Sequence, residues 1–377
     1  MGTVGTAGAA GYDPLTTSSL LTNRDGIAGA WTGPGQVPTA HPTDPAVRLR
    51  IMGATERASV MHTELMSRLS FQIGERNLDT ANGETFGDRP EERFVNVQHL
   101  DFAAAPTLRP LVEITRPSET TFIQQLDIVD QYADLRSDRT AEILAQLNAP
   151  TAYFSSIVAL DNSRFPKTLE LLNATLRLAY SVVIQIKHGL ACRRPHEYSP
   201  QIQPMIPVPQ HGAFPSGHAT EGFIAAYVFW MLLRAVRDQA TSPTSPSGAT
   251  QYADVTWGTQ FMRLASRIAI NRTVAGVHFP ADSAAGALLG LTLGRYLAGR
   301  CNYAVMPGTS IQYDAWNFDG ATFPGTQDFH WEDLFDVTTQ TQSATAYATS
   351  AASPSLPATD QSPALQWLWD EAVDEWL

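Results

Sequence analysis

Residues 166–195 read PKTLELLNATLRLAYSVVIQIKHGLACRRP, and this stretch decides the fold class. Pro166 suits the first turn of a helix, where its missing N–H is no loss. Leu169, Leu172, Leu176, Ala179, Val183 and Ile186 follow at alternating three- and four-residue steps, the pattern of a helix with one buried face. Upstream, Val47, Ile51, Ala54, Ala58, Met61, Leu65 and Leu69 keep the same spacing, and helical patterns recur over about 120–147 and 151–160. Downstream, helices are expected over about 217–237, 252–275 and 281–299. Strand signals are sparse. The sequence therefore predicts an all-α fold of helical bundles.

Residues 1–43, rich in Gly, Thr and Pro, predict an irregular N-terminal arm. Residues 44–306 predict a single all-α catalytic domain, with 74–118 as a long polar surface connection and 238–250 (DQATSPTSPSGAT) as a loop. Residues 307–377 predict a polar extension closing in a short amphipathic helix over 363–377. Its Leu365, Leu368, Trp369, Val373 and Trp376 are set to dock on the body or on a second subunit of a homo-oligomer.

With 377 residues, 44% of them hydrophobic, the chain can bury a large core. Its net charge of −12, without any basic stripe, excludes a general nucleic-acid binder. The two cysteines, Cys192 and Cys301, form no disulfide framework. The first residues lack the basic and apolar regions of a secretory signal. The most apolar stretches, Gly222 to Leu233 and Ala284 to Ala298, are shorter than the roughly 20 residues that span a bilayer. A soluble, cytoplasmic chain without membrane insertion is expected.

The informative anomaly is where the cations fall. Continuing the 166–192 stripe gives Leu176, Tyr180, Val183, Lys187, Leu190 and Arg194. Lys187 and Arg194 stand two helical turns apart and are expected on one apolar side. Arg272 takes a similar slot after Phe261, Leu264 and Ile268. One such cation could be a stem that snorkels from a core edge. Three call for neutralisation, by acidic residues or by an anionic ligand, because an unpaired buried charge is very costly.

Beside them stands Pro215-Ser216-Gly217-His218, directly before an apolar helical run. Ser216 fits an N-cap, Gly217 lets a ligand approach the backbone, and the free N–H groups of the first turn favour an anion. His218 adds a proton donor or acceptor. Further on, Gly276 can end the Arg272 helix and Pro280 can begin the next. His278 and Asp282, four apart, place a carboxylate where it can hold one ring nitrogen and free the other. A metal site would need third and fourth ligands, and none stands at suitable spacing.

These pieces together resemble the type 2 phosphatidic acid phosphatase and vanadium-dependent haloperoxidase superfamily. Its pattern is Lys, six residues, Arg-Pro; then Pro-Ser-Gly-His; then Ser-Arg, five residues, His, three residues, Asp. Here it appears as Lys187…Arg194-Pro195, Pro215-Ser216-Gly217-His218 and Arg272…His278…Asp282 across 187–282, with Asn271 in place of the usual serine. The resemblance implies an oxyanion site in the core of the C-terminal bundle. Lys187, Arg194 and Arg272 would neutralise the oxygens, while Ser216, the Gly217 N–H and His218 add hydrogen bonds.

Two chemistries share such a pocket. In the peroxidase, vanadate is the cofactor, His278 is the axial ligand to vanadium, and hydrogen peroxide and halide are consumed. In the phosphatase, a phosphate ester is the substrate, His278 becomes a phosphohistidine, and His218 protonates the leaving oxygen. Asp282 orients His278 in both. Helical material at about 44–160 and His211, five residues before Ser216, resemble the haloperoxidase branch. That makes His211 a further candidate catalytic residue and favours bromide or iodide over chloride. A soluble acid phosphatase is the alternative. A non-catalytic phosphate-binding protein is the third reading, which the His218 and His278 pair disfavours.

Overall fold

The structure is a computed structural model that describes residues 14–33, 42–77, 91–102, 106–148, 150–240, 252, 254–301, 313–352, 354, 356 and 360–377. Its centre is built from α7 (Pro166–Leu190), α9 (Gly217–Ala240), α10 (Val255–Val274) and α11 (Pro280–Arg300). The shorter helices are α1 (Pro14–Ile27), α2 (Pro45–Arg50), α3 (Ala54–Met66), α4 (Glu119–Tyr132), α5 (Arg136–Ala145), α6 (Thr151–Phe154), α8 (Pro195–Tyr198) and α12 (Pro363–Asp374).

On the α7 stripe Leu172, Ala179, Val183 and Ile186 are buried as the spacing requires, whereas Leu169 and Leu176 are only partly buried and Tyr180 is 60% exposed. Every side chain from Phe223 to Leu233 in α9 is buried. A helix apolar all round belongs in an interior, and α9 packs against α7, α10, α11 and α12. Its partner α11 offers Gly286, Gly290 and Gly294 at four-residue steps. A Cβ at Gly286 would stand 2.6 Å from the Ser216 carbonyl oxygen, and one at Gly290 would stand 2.6 Å from that of Thr220. The two helices therefore touch backbone to backbone.

The all-α expectation needs correcting. Strands β1 (Leu69–Asn77), β2 (Glu91–Asp101), β3 (Thr107–Thr115), β4 (Ala315–Asp319) and β7 (Ala348–Ala352) form one mixed sheet in that order. Its pairs are antiparallel except β3 with β4. A second ribbon joins β5 (Phe335–Asp336) to β6 (Thr341–Gln342). Much of 74–118 is thus sheet rather than surface connection. Val95, Val97, His99 and Asp101 are buried at period two while Asn96 and Gln98 alternate with them, so half of β2 is polar and reads as loop. Pro110 is tolerated because it pairs with Gln98 at a register shift. His99 ties the sheet to α11 and the C-terminal segment, with Nδ1 2.8 Å from the Tyr296 hydroxyl and Nε2 2.9 Å from Asp360.

Other differences are local. The expected irregular arm holds α1, while residues 1–13 and 34–41 lie outside the described residues. The Val47–Leu69 stripe breaks into α2 and α3. Helix α9 runs to Ala240, and the remainder of the loop expected over 238–250 is outside the described residues. The terminal helix docks on the body. Glu375 accepts hydrogen bonds from the Lys167 and Thr168 N–H groups at the start of α7 (2.5 and 2.8 Å), and Trp376 stacks on Phe165. A carboxylate there satisfies orphan donors and complements the helix dipole. Both cysteines are free and buried.

Two segments are long and apolar enough, by length and composition, to cross a membrane: Pro166–Tyr198 (mean hydropathy 1.2) and Gly217–Asp238 (1.3, with 94% of its apolar window buried inside the protein). This overturns the expectation of a soluble, cytoplasmic chain with no segment able to insert. That expectation took uninterrupted apolar runs as the measure, whereas both helices continue through polar residues.

The contact between α9 and α11 has a direct consequence. Gly290→Ala should destabilise the protein by about 1–3 kcal/mol through overpacking, lowering the denaturant midpoint at constant slope. Gly26→Ala in α1, where a Cβ meets nothing within 4 Å, should not lower it. Equal midpoints for Gly290→Ala and the parent protein would contradict the close packing.

Candidate active site

Helix α7 ends where Ala191 turns left-handed (φ 49°) and donates its N–H to the Lys187 carbonyl. Arg194 is therefore not on the helix, which corrects the two-turn reading of its position. Pro195 disfavours helical backbone at the residue before it, and Arg194 is extended (ψ 160°). Its side chain is nonetheless buried close to Lys187. Lys187 Nζ donates to the carbonyls of Gly212 (2.8 Å) and Ala213 (2.6 Å). Arg194 donates from Nε to the His211 carbonyl (3.1 Å) and from Nη1 to the Val277 carbonyl (2.8 Å). Its Nη2 lies 3.2 Å from His211 Nδ1, and its Nη1 lies 3.5 Å from His278 Nε2.

Ser216 caps α9: its Oγ accepts from the Ala219 N–H at 3.4 Å, leaving the hydroxyl proton free to donate. The Ser216 N–H donates to the Asp282 carbonyl (2.8 Å) and pins the start of α9 to the start of α11. Gly217 opens α9, and a Cβ there would meet within 4 Å only Val183 Cγ1, at 3.9 Å. Protein crowding thus does not demand glycine at this position. His218 donates from Nε2 to the Gln146 carbonyl (3.0 Å), which leaves Nδ1 as its available nitrogen.

Helix α10 ends at Gly276, whose φ of +78° suits glycine, and delivers Arg272 and then His278. Arg272 Nη2 donates to the Ile143 carbonyl (3.1 Å) and to Gln146 Oε1 (3.0 Å). Its Nε and Nη1 are buried with no hydrogen-bond partner among the described residues. His278 Nδ1 lies 2.7 Å from Asp282 Oδ2, which also accepts the Phe279 N–H (3.0 Å). Nε2 of His278 is thereby turned toward Arg194.

Sequence reasoning missed Gln146, the residue just after α5. Its carbonyl positions His218 and its side chain holds Arg272. Asn271, the departure from the usual serine, donates to Gln146 Oε1 and Glu142 Oε1 (both 2.9 Å), keeping Gln146 in place. The departure from the superfamily pattern at 271 was the one available signal. Glu221, one helical turn beyond His218, was missed as well.

The electrostatics follow from burial. Burial, then the field of Arg194, Lys187, His218 and Arg272, holds His278 well below the usual histidine range. Burial and Arg272 take His218 down to about 3, so both imidazoles are neutral when no anion is present. Burial lowers Arg272 to about 10, still fully charged at neutral pH. Burial raises Asp282 and lowers Lys187, and their mutual attraction opposes both shifts. Burial lowers His211 too, with Lys187 and Arg194 adding to it.

Two clefts reach this cluster. One of about 1220 Å³ runs from α3 and α7 to His218 and Glu221. The other, about 680 Å³, opens onto Lys187, Arg194 and His211. Among the described residues no group of three or more His, Cys, Asp or Glu is placed to hold a metal ion.

The sequence matches the PAP2 superfamily over residues 168–303, a span that contains every residue of the cluster contributed by α7 to α11. Residues 168–303 form a PAP2 superfamily domain. No curated protein matches the chain. Among solved structures, the chain is similar to a crystal structure described as the first transmembrane PAP2 type phosphatidylglycerolphosphate phosphatase from Bacillus subtilis. The two are 16% identical with a TM-score of 0.38, over 51% of this chain and 90% of that one.

A tetrahedral anion in the PAP2 domain would cancel much of the cationic field on His278 and His218 and raise both. Histidines held low in the fold stabilise it above about pH 6.5 and lose that contribution as pH falls. The anion-free protein should therefore lose melting temperature between pH 7 and 5, and sulfate or tungstate should restore more at pH 5 than at pH 7. Calorimetry in two buffers should show proton uptake on anion binding. Binding without proton uptake anywhere in that range would rule the coupling out.

Proposed function

We propose that the chain is a PAP2-type phosphatase that hydrolyses a phosphate ester through a phosphohistidine on His278. The observation that carries this reading is the orientation of His278. Asp282 holds Nδ1, so Nε2 is a neutral nucleophile facing three buried cations, one of which has two N–H positions without any partner. Lys187, Arg194 and Arg272 would take the non-bridging oxygens, and the Ser216 hydroxyl and first-turn N–H groups would add donors. His278 Nε2 attacks phosphorus as the ester P–O bond breaks. Phosphate binding relieves the cationic field on His218, which takes up a proton at Nδ1, its nitrogen without a protein partner, and gives that proton to the departing oxygen. Water then attacks the phosphohistidine with His218 as base, releasing phosphate and restoring the imidazole.

Brief reaction with a labelled phosphomonoester followed by an alkaline quench should trap label on His278. His278→Ala should abolish both trapping and turnover. His218→Ala should keep anion binding but lose about 10²–10⁴ in rate, the usual weight of a proton transfer. Turnover in His278→Ala would refute the nucleophile.

A second reading rests on His211, whose ring lies beside Arg194 at the smaller cleft. The same donor set suits vanadate, which shares the shape and charge of phosphate. Bound vanadate would supply activation of hydrogen peroxide for halide oxidation. On that reading vanadate-loaded protein oxidises bromide or iodide and His211→Phe changes the halide profile, while vanadium NMR reports binding in both proteins. Vanadate binding without halide oxidation leaves His211 without a catalytic part and vanadate as an inhibitor of the phosphatase. A phosphate-binding protein without turnover would show neither activity.

A further inference from the structure

His218 and Glu221 stand one turn apart on α9, and both line the larger cleft. In the phosphatase reading, on which this inference rests, an in-line displacement puts the leaving oxygen opposite His278 and next to His218. The alcohol part of the ester must then lie in that cleft, past Glu221.

Glu221 is an unusual group to find there. It is only partly exposed, and it forms no hydrogen bond or ion pair among the described residues. Burial pushes its carboxyl up to about 7, against the pull of Lys187. In the same cleft Arg57 and Lys167 both pair with Glu170, while Arg177 lines it with an exposed side chain. The superfamily pattern ends at His218 on this helix and assigns nothing to position 221. A part-exposed carboxyl one turn from His218 that makes no contact of its own among the described residues is open to a ligand donor in that cleft.

We propose that Glu221 is a specificity residue that reads the leaving alcohol, selecting esters that carry a hydroxyl or ammonium donor near the ester oxygen. An anionic group at the same place would meet the carboxyl rather than the cations. Lys187, Arg194 and Arg272 attract any phosphate, so discrimination between phosphate esters has to come from outside the cradle. Glu221 is the acid placed to supply it.

The test compares three substrates with the full chain: phosphoethanolamine, phosphoglycolate and p-nitrophenyl phosphate. The first two have similar length and opposite charge at the far end, and the third offers neither group. The parent protein should prefer phosphoethanolamine to phosphoglycolate. Glu221→Gln should lower kcat/KM for phosphoethanolamine about tenfold, mainly through KM, and raise it for phosphoglycolate. It should change p-nitrophenyl phosphate about twofold or less. Glu221→Ala should repeat the phosphoglycolate gain without restoring phosphoethanolamine. Equal changes on all three substrates, or none on any, would overturn the assignment. If the parent protein hydrolyses none of them and forms no phosphohistidine, the phosphatase reading itself fails, an outcome distinct from a lost preference.

Discussion

The site depends on backbone contact between α9 and α11. Ser216 and His218 begin one helix, and His278 and Asp282 flank the start of the other. Gly286 and Gly290 let the two approach until a Cβ would strike a carbonyl oxygen, and the Ser216 N–H to Asp282 carbonyl bond locks their ends together. The candidate proton donor and the candidate nucleophile thus sit on rigid elements whose relative placement is set by main chain. Helices packed through long side chains can slide, because those side chains change rotamer. Backbone contact offers no such slack. The apolar girth of α9 serves the same end, since a helix surrounded by α7, α10, α11 and α12 has no free side toward which to move.

Within that frame the charges are held in an arrangement that is unfavourable without an anion. Lys187, Arg194 and Arg272 are buried close to one another, with Asp282 as the carboxylate among them. Backbone carbonyls of residues 143, 211, 212, 213 and 277 accept from the cations. Carbonyl dipoles partly replace lost water but leave net positive charge inside. Arg272 shows the deficit most clearly, through two nitrogens, Nε and Nη1, with nothing among the described residues to donate to. A tetrahedral oxyanion answers both the charge and the orphaned N–H groups, which is why the geometry favours anion chemistry over a structural role for these residues.

Much of this was legible in the sequence, because the local order of residues fixes it. The Pro-Ser-Gly-His turn before an apolar run makes an N-cap whatever surrounds it, and His278 with Asp282 at four residues makes a hydrogen-bonded pair across one helix start. Arg194 was placed near Lys187 for the wrong local reason: Pro195 removes it from the helix, and the Gly212 and His211 carbonyls bring it back. The sheet was missed because its strands have one polar face, and β3 pairs with β4 some two hundred residues on, a contact that no window of sequence contains. Gln146 was missed for a similar reason. Nothing in the surrounding LAQLN (144–148) signals that its carbonyl meets His218 and its side chain meets Arg272; only the fold of α5 against α10 puts it there.

The cradle alone does not choose between phosphate transfer and vanadate chemistry, since both ask for the same three cations and the same histidine. The choice lies in the groups just outside it, and these differ between the two clefts. On the side of His218, Glu221 stands without a hydrogen-bond or ion-pair partner among the described residues, in a cleft large enough for an alcohol moiety. On the other, His211 is already engaged with Arg194, and its own main chain accepts from the same guanidinium. An imidazole committed to a structural contact is less available to tune a bound oxidant than a carboxyl without a partner is to bind a substrate. The asymmetry favours an ester arriving past Glu221, with its phosphoryl group in the cradle and its alcohol against the carboxyl.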